Sequence, residues 1–131
     1  MTSYQQHHLN FLKIAYNNFI NRDPFKSDHP TEDDIEFIQD FRKLIDEFES
    51  SPQSVHERGE DFIDKAFRRY PQIAHLIARD LLWYFGGNNL HNLTDDEMTK
   101  FQKLDEMRYD AEEQEQEFDY INKRAAVFGQ N

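Results

Sequence analysis

The chain has 131 residues, a net charge of −11 at neutral pH and no cysteine. That length suits one domain and is enough to bury a core. The missing thiols exclude disulfides, thiolate metal sites and thiol catalysis, and the acid excess disfavours nucleic acid and membrane headgroups as partners.

The acid is unevenly placed. Residues 31–51 hold eight acids against two bases and residues 95–131 hold eleven against five, whereas 52–94 balance. A solvated acidic surface of this kind keeps a protein in solution. The start, Met1-Thr2-Ser3-Tyr4-Gln5-Gln6-His7-His8, has neither the basic nor the apolar region of a signal peptide, so a soluble, cytoplasmic protein is expected.

A first helix is predicted from about Ser3 to Ile20, with Tyr4, Leu9, Leu12, Ala15, Tyr16 and Phe19 at helical spacing. Asn21 through Pro30 holds two prolines and several turn formers and reads as a loop, with Phe25 as its anchor. Thr31 caps the second helix, and Glu32, Asp33 and Asp34 place negative charge on its N-terminus. Ile38, Phe41, Leu44, Ile45 and Phe48 form its apolar face. Ser51 and Pro52 are the expected cap and first position of a third helix. This helix carries Val55, Phe62, Ile63, Ala66 and Phe67, with Gly59 marking a place where another backbone crosses.

The run Ile73–Phe85 is apolar on almost every side. It opens after Pro71 and stops at Gly86-Gly87, so a buried central helix over about 72–86 is predicted. Thr94 and Glu97 form a capping box before the last helix. That helix is expected to run from Asp95 to about Ala126, roughly 45 Å at 1.5 Å per residue. Its stripe of Met98, Phe101, Leu104 and Ala111 lapses over Glu112–Glu117 and resumes as Phe118, Ile121, Ala125 and Phe128. The resumed stripe must cover its own domain or a second subunit, and it is the candidate contact of a homodimer. Nothing reads as a strand, an internal repeat or a linker. The expected fold is all-α: a single-domain bundle of about five helices around the central one, with a long C-terminal helix.

The motifs that carry chemistry are absent. There is no Glu-x-x-His pair, no His-Glu-x-x-His, no EF-hand loop and no serine elbow. Glu57-x-x-Glu60 and Glu112-x-x-Glu115 have one-turn spacing, which also suits a solvated helix face. No catalytic residue, cofactor or metal is therefore expected.

Two places attract a site. Arg79-Asp80 is a charged pair inside an apolar run, costly to bury unless each member is paired. Consecutive residues point about 100° apart on a helix, so each needs its own partner: an acid for Arg79, and Arg68, Arg69 or Arg108 for Asp80. A register-setting ion pair is one reading, and a polar pocket beside His75 and Trp83 is the other. His75 by itself reads as a partly buried core histidine. The second place is the junction from Trp83 through Gly86-Gly87 to His91, which is either a glycine-capped connector or the wall of a small-molecule pocket.

Arg69-Tyr70-Pro71-Gln72, Ala78 through Gly87, Leu90-His91 and Gln102-x-Leu104-Asp105-Glu106-x-Arg108-Tyr109 together resemble a small family of bacterial proteins of unknown function, over roughly residues 60–120. The resemblance implies a soluble, cytoplasmic, helical protein of gamma-proteobacterial type. It brings no activity, cofactor or site. The leading expectation is a non-enzymatic protein acting by contact, as a homodimer. The alternatives are an acidic binder of a basic protein, in the extreme a nucleic-acid mimic, and a ligand pocket or catalytic site near Trp83 and His91.

Overall fold

The computed structural model describes residues 1–129, and among them it is all-α, without a strand. Six α-helices are joined by loops and three short 3₁₀ turns: α1 (Ser3–Ile20), α2 (Glu32–Ser50), α3 (His56–Arg69), α4 (Arg79–Phe85), α5 (Asp95–Glu113) and α6 (Tyr120–Val127).

Three of these helices start on a capping box. Thr94 and Glu97 form the one expected, and Thr31 with Asp34 and Thr2 with Gln5 form two more. In each, the threonine hydroxyl takes one orphan N–H of the first turn and the third residue returns a bond to the cap. Asp34 has a second task, because its other oxygen accepts the Tyr70 hydroxyl at 2.7 Å and ties the start of α2 to the end of α3. Phe25 anchors its loop as expected, with its ring 4.8 Å from Tyr70 and 5.6 Å from Phe37.

Three expected boundaries are displaced, each for a physical reason. Pro52 opens a 3₁₀ turn rather than α3 itself, and α3 begins at His56 with no side-chain cap. The central segment is buried but is not one helix. Ala74–Leu76 is a 3₁₀ turn, Ile77 and Ala78 are extended, and α4 begins only at Arg79. A continuous helix would project successive side chains at even steps of about 100°, whereas a break sets its own directions. The break turns Ile73, Ala74, Ile77, Leu81 and Leu82 to a shared core and leaves His75 and Arg79 at the surface. His75 is thus exposed, not a core histidine.

The last helix is likewise two. The run Glu112–Glu117 has no apolar side chain to hold a helix against the core. The backbone leaves the helix after Glu113, takes a positive φ of 56° at Glu115 and turns back into α6. Asp119 caps α6 by accepting from Asn122 N–H at 3.2 Å. The Ser3 hydroxyl donates to the Phe118 carbonyl at 2.9 Å, which ties the return to the start of α1. Of the candidate dimer contacts, Phe118 and Phe128 are half-buried against this protein's own core, and Ala125 is half-buried too. The Phe128 ring lies 4.9 Å from Phe101. Only Ile121, 57% exposed, faces outward. The resumed stripe covers α1 and α5 of the same molecule.

Two aromatic clusters fill the core. Phe19, Phe37, Phe41 and Phe62 pack between α1, α2 and α3. Tyr4, His8, Tyr84 and Tyr120 pack where α1, α4 and α6 meet. Burying each large ring contributes roughly 1.5–3 kcal/mol. The second cluster forms the wall of the candidate site.

Candidate functional site

Arg79 and Asp80 part company, as residues about 100° apart on a helix should. Arg79 points outward and makes a two-pronged pair with Glu97, both bonds 2.8 Å, plus a bond of 2.6 Å to the Asn92 carbonyl. The Arg79 bonds come first among the causes that hold the Glu97 carboxyl down at about 2. Glu97 therefore serves both as the third residue of the capping box and as the tether of α4 to α5.

Asp80 points inward and is 2% exposed. The expected partners Arg68, Arg69 and Arg108 do not reach it. Arg124 of α6 does, with Nε at 2.6 Å from one carboxylate oxygen and a terminal nitrogen at 2.8 Å from the other. His7 adds a third bond at 3.0 Å. Burial alone would raise the Asp80 carboxyl, but the hydrogen bonds from His7 and Arg124 outweigh it and hold it at about 2. Asp80 and Arg124 thus form a buried ion pair between α4 and α6.

His8 lies beside it, fully buried and stacked 4.4 Å from Tyr84. Its Nδ1–H donates to the Tyr4 carbonyl at 2.6 Å, which leaves Nε2 as a buried lone pair with no partner among the described residues. Burial pushes the imidazole down to about 3, so it stays neutral. His7, His8 and Asp80 present ligand atoms within 4.8 Å of one another, a spacing that can suit a metal. The chemistry of the donor set argues against one. Arg124 occupies the cation's place and already takes both Asp80 oxygens.

These charges make the fold acid-labile. His8 is depressed from 6.5 to about 3, so the unfolded protein takes up a proton below pH 6.5 that the native one refuses. Stability is therefore expected to fall from pH 6.5 downward, by roughly 2 kcal/mol at pH 5. Asp80 adds a further loss as the pH drops through 3.8 toward 2. Urea unfolding at pH 7 and pH 5 should show this, and His8→Phe should remove most of the difference between those two values. A wild-type and a His8→Phe protein with the same pH dependence would show that His8 is not the group responsible.

On the outer side of the Tyr4–Tyr84 wall lies a groove of about 1380 Å³ between the start of α1, the 3₁₀ turn at Pro52, α4, α5 and the 114–119 return. Trp83 lines it. His91 does not: it is exposed, and its ring bonds the Asn88 carbonyl instead. His75 and Arg79 also lie outside it. The pocket thus takes one residue of the expected set and adds Tyr4, His56, Arg108 and Tyr109. Trp83 Nε1–H donates to Asp105 at 2.9 Å, which fixes the indole on the groove floor. The Arg108 guanidinium lies 3.9 Å from the Tyr4 ring centre and 4.7 Å from that of Tyr109. Glu112, Glu117 and Asp119 stand exposed along the same groove.

Two signals in the sequence point to His8 and Arg124 of the buried cluster. His8 falls on the apolar stripe of α1 with Leu12, Ala15 and Phe19, and Arg124 falls four residues after the buried Tyr120. A polar residue on an apolar stripe is a residue with a buried partner. The groove had no such signal, because Tyr4, His56, Trp83 and Tyr109 come from four separate elements.

Fold and site together define an all-helical protein with an aromatic, acid-lined groove beside a buried ion pair. The chain belongs to the PA2817-like family, whose pattern matches residues 1–131. Comparison with curated proteins and with solved structures found no match. No helix among the described residues is long and apolar enough to cross a membrane.

Proposed function

We propose that this protein acts by contact and that its groove receives a basic segment of a partner protein. The observation that carries this is the groove's lining. Trp83, Tyr84 and Tyr109 with Arg108 are the residue types that dominate protein contacts. The volume exceeds the roughly 300–1,000 Å³ usual for small-molecule pockets, which favours an extended ligand. Charge sets the sign of that ligand. Arg108 and Asp105 offset each other, whereas Glu112 and Glu117 make no ion pair among the described residues. The cysteine-free sequence suits a reducing cytoplasm as the setting.

Trp83 is the protein's single tryptophan, so its emission reports on the groove. The probe is a synthetic pool of tryptophan-free peptides of roughly eight residues, about 26 Å when extended, randomised over Lys, Arg, Phe, Leu, Ser and Gly. The expected result is a saturable shift of Trp83 emission, reversed near 0.3 M salt and weakened several-fold by Glu112→Gln with Glu117→Gln. A pool with Asp and Glu in place of the bases should do nothing. The reading fails if the basic pool leaves the emission unchanged or the acidic pool acts equally. Self-association is the second reading and rests on the exposed Ile121. A silent groove together with a light-scattering mass of two protomers would favour it.

A further inference from the structure

Resting on that reading, we propose that the bound segment is the free carboxyl end of a polypeptide and that Arg108 holds its α-carboxylate. Arg108 is a guanidinium with donors to spare. It stands one helical turn before Glu112, the spacing at which such residues pair, yet no ion pair forms between them. Its acceptor among the described residues is Asp105, at 3.4 Å, longer than the usual range of roughly 2.7–3.2 Å. Its Nε is buried out of a ligand's reach, so the donors Arg108 can offer the groove are its terminal nitrogens. The second oxygen of Asp105 is occupied by Trp83, so Asp105 is fixed in place and cannot swing round to complete the pair.

The Tyr4 and Tyr109 rings limit the hydration of this cation, and desolvated donors left unpaired are costly. A carboxylate supplies two parallel acceptors matched to the guanidinium fork. The acids lining the groove then select among anions. A phosphate brings up to two negative charges toward Glu112 and Glu117, whereas a carboxylate brings one. A basic segment complements those acids, and the one carboxylate that a basic segment always has, if it ends its polypeptide, is its terminus.

The test uses the same basic peptide pool, N-acetylated, in two forms: free C-terminal acid and C-terminal amide. Affinity is read by Trp83 emission and by calorimetry. The free acid should bind at least about tenfold more tightly, the size of effect expected from hydrogen bonds to a charged group. Arg108→Lys, which keeps the charge and loses the fork, should shrink that ratio, and Arg108→Gln should abolish it. Equal affinity of acid and amide for the wild-type protein overturns the carboxylate proposal and leaves the groove reading standing. A ratio that survives both Arg108 variants also overturns it. Failure of both peptide forms to bind overturns the groove reading itself. The wild-type comparison needs no variant to fold.

Discussion

Asp80→Ala is expected to lower stability by roughly 3–5 kcal/mol. The carboxylate is buried and accepts two bonds from Arg124 and one from His7. Removing it takes from a guanidinium 18% exposed both of its bonds to Asp80, and from His7 its carboxylate partner. An exposed acid gives the scale. Asp96 is 77% exposed and pairs with Lys100 across one helical turn, a contact typically worth a few tenths of a kcal/mol. Thermal unfolding of the two alanine variants should separate them, with a drop on the order of 10 °C for Asp80→Ala and a small one for Asp96→Ala. Equal melting temperatures would show that the pair is not structural. The loss should also concentrate on α6, since Arg124 bonds that helix to α4 through Asp80. Faster amide exchange over 118–127 is the local signature.

Gly59→Ala is expected to destabilise, although helix propensity predicts the reverse. In an exposed helix interior the change would gain about 1 kcal/mol. Here α3 crosses α4 at Gly59, and an added Cβ would lie 2.2 Å from two carbons of the Phe85 ring. That ring is 5% exposed and packed near Phe48 and His56, so it has little space to retreat. Overpacking of this kind costs roughly 1–3 kcal/mol or more, which outweighs the propensity gain. The clash also predicts coupling: Gly59→Ala should cost less in a Phe85→Leu background, where the ring is gone. A Gly59→Ala protein more stable than wild type, or strict additivity with Phe85→Leu, would show that the helices do not meet there as described.

The parts legible in the sequence were those set by neighbours along the backbone. Thr31 and Thr94 announce helix starts because a capping hydroxyl must sit just before the first turn. Gly59 announces a close approach because a glycine inside an apolar helix face has few other uses, but the Phe85 ring, not a backbone, fills the space. The cost of burying Asp80 announced a partner. Boundaries at Pro52, Ile77 and Glu113 were less legible, because each is set by how much core is available to cover an apolar face. The α4 segment shows this best: Asp80, Leu81, Leu82, Tyr84 and Phe85 are buried all round it, as its composition asked, yet only Arg79–Phe85 of the apolar run is helical.

By itself the sequence determined an all-α protein with an acidic surface, the caps, the apolar faces and the need to pair Arg79 and Asp80. Those properties depend on spacing within one element, where backbone geometry converts residue number directly into direction. Tertiary structure alone decided that Asp80 meets Arg124, that Arg79 meets Glu97, and that the C-terminal stripe folds back onto α1 and α5. It also decided that Tyr4, His56, Trp83 and Arg108 share one groove while His75 and His91 stay outside. The physical reason is range. These contacts join residues tens of positions apart, and their choice rests on which packing of the helices leaves the fewest apolar faces and the fewest unpaired charges.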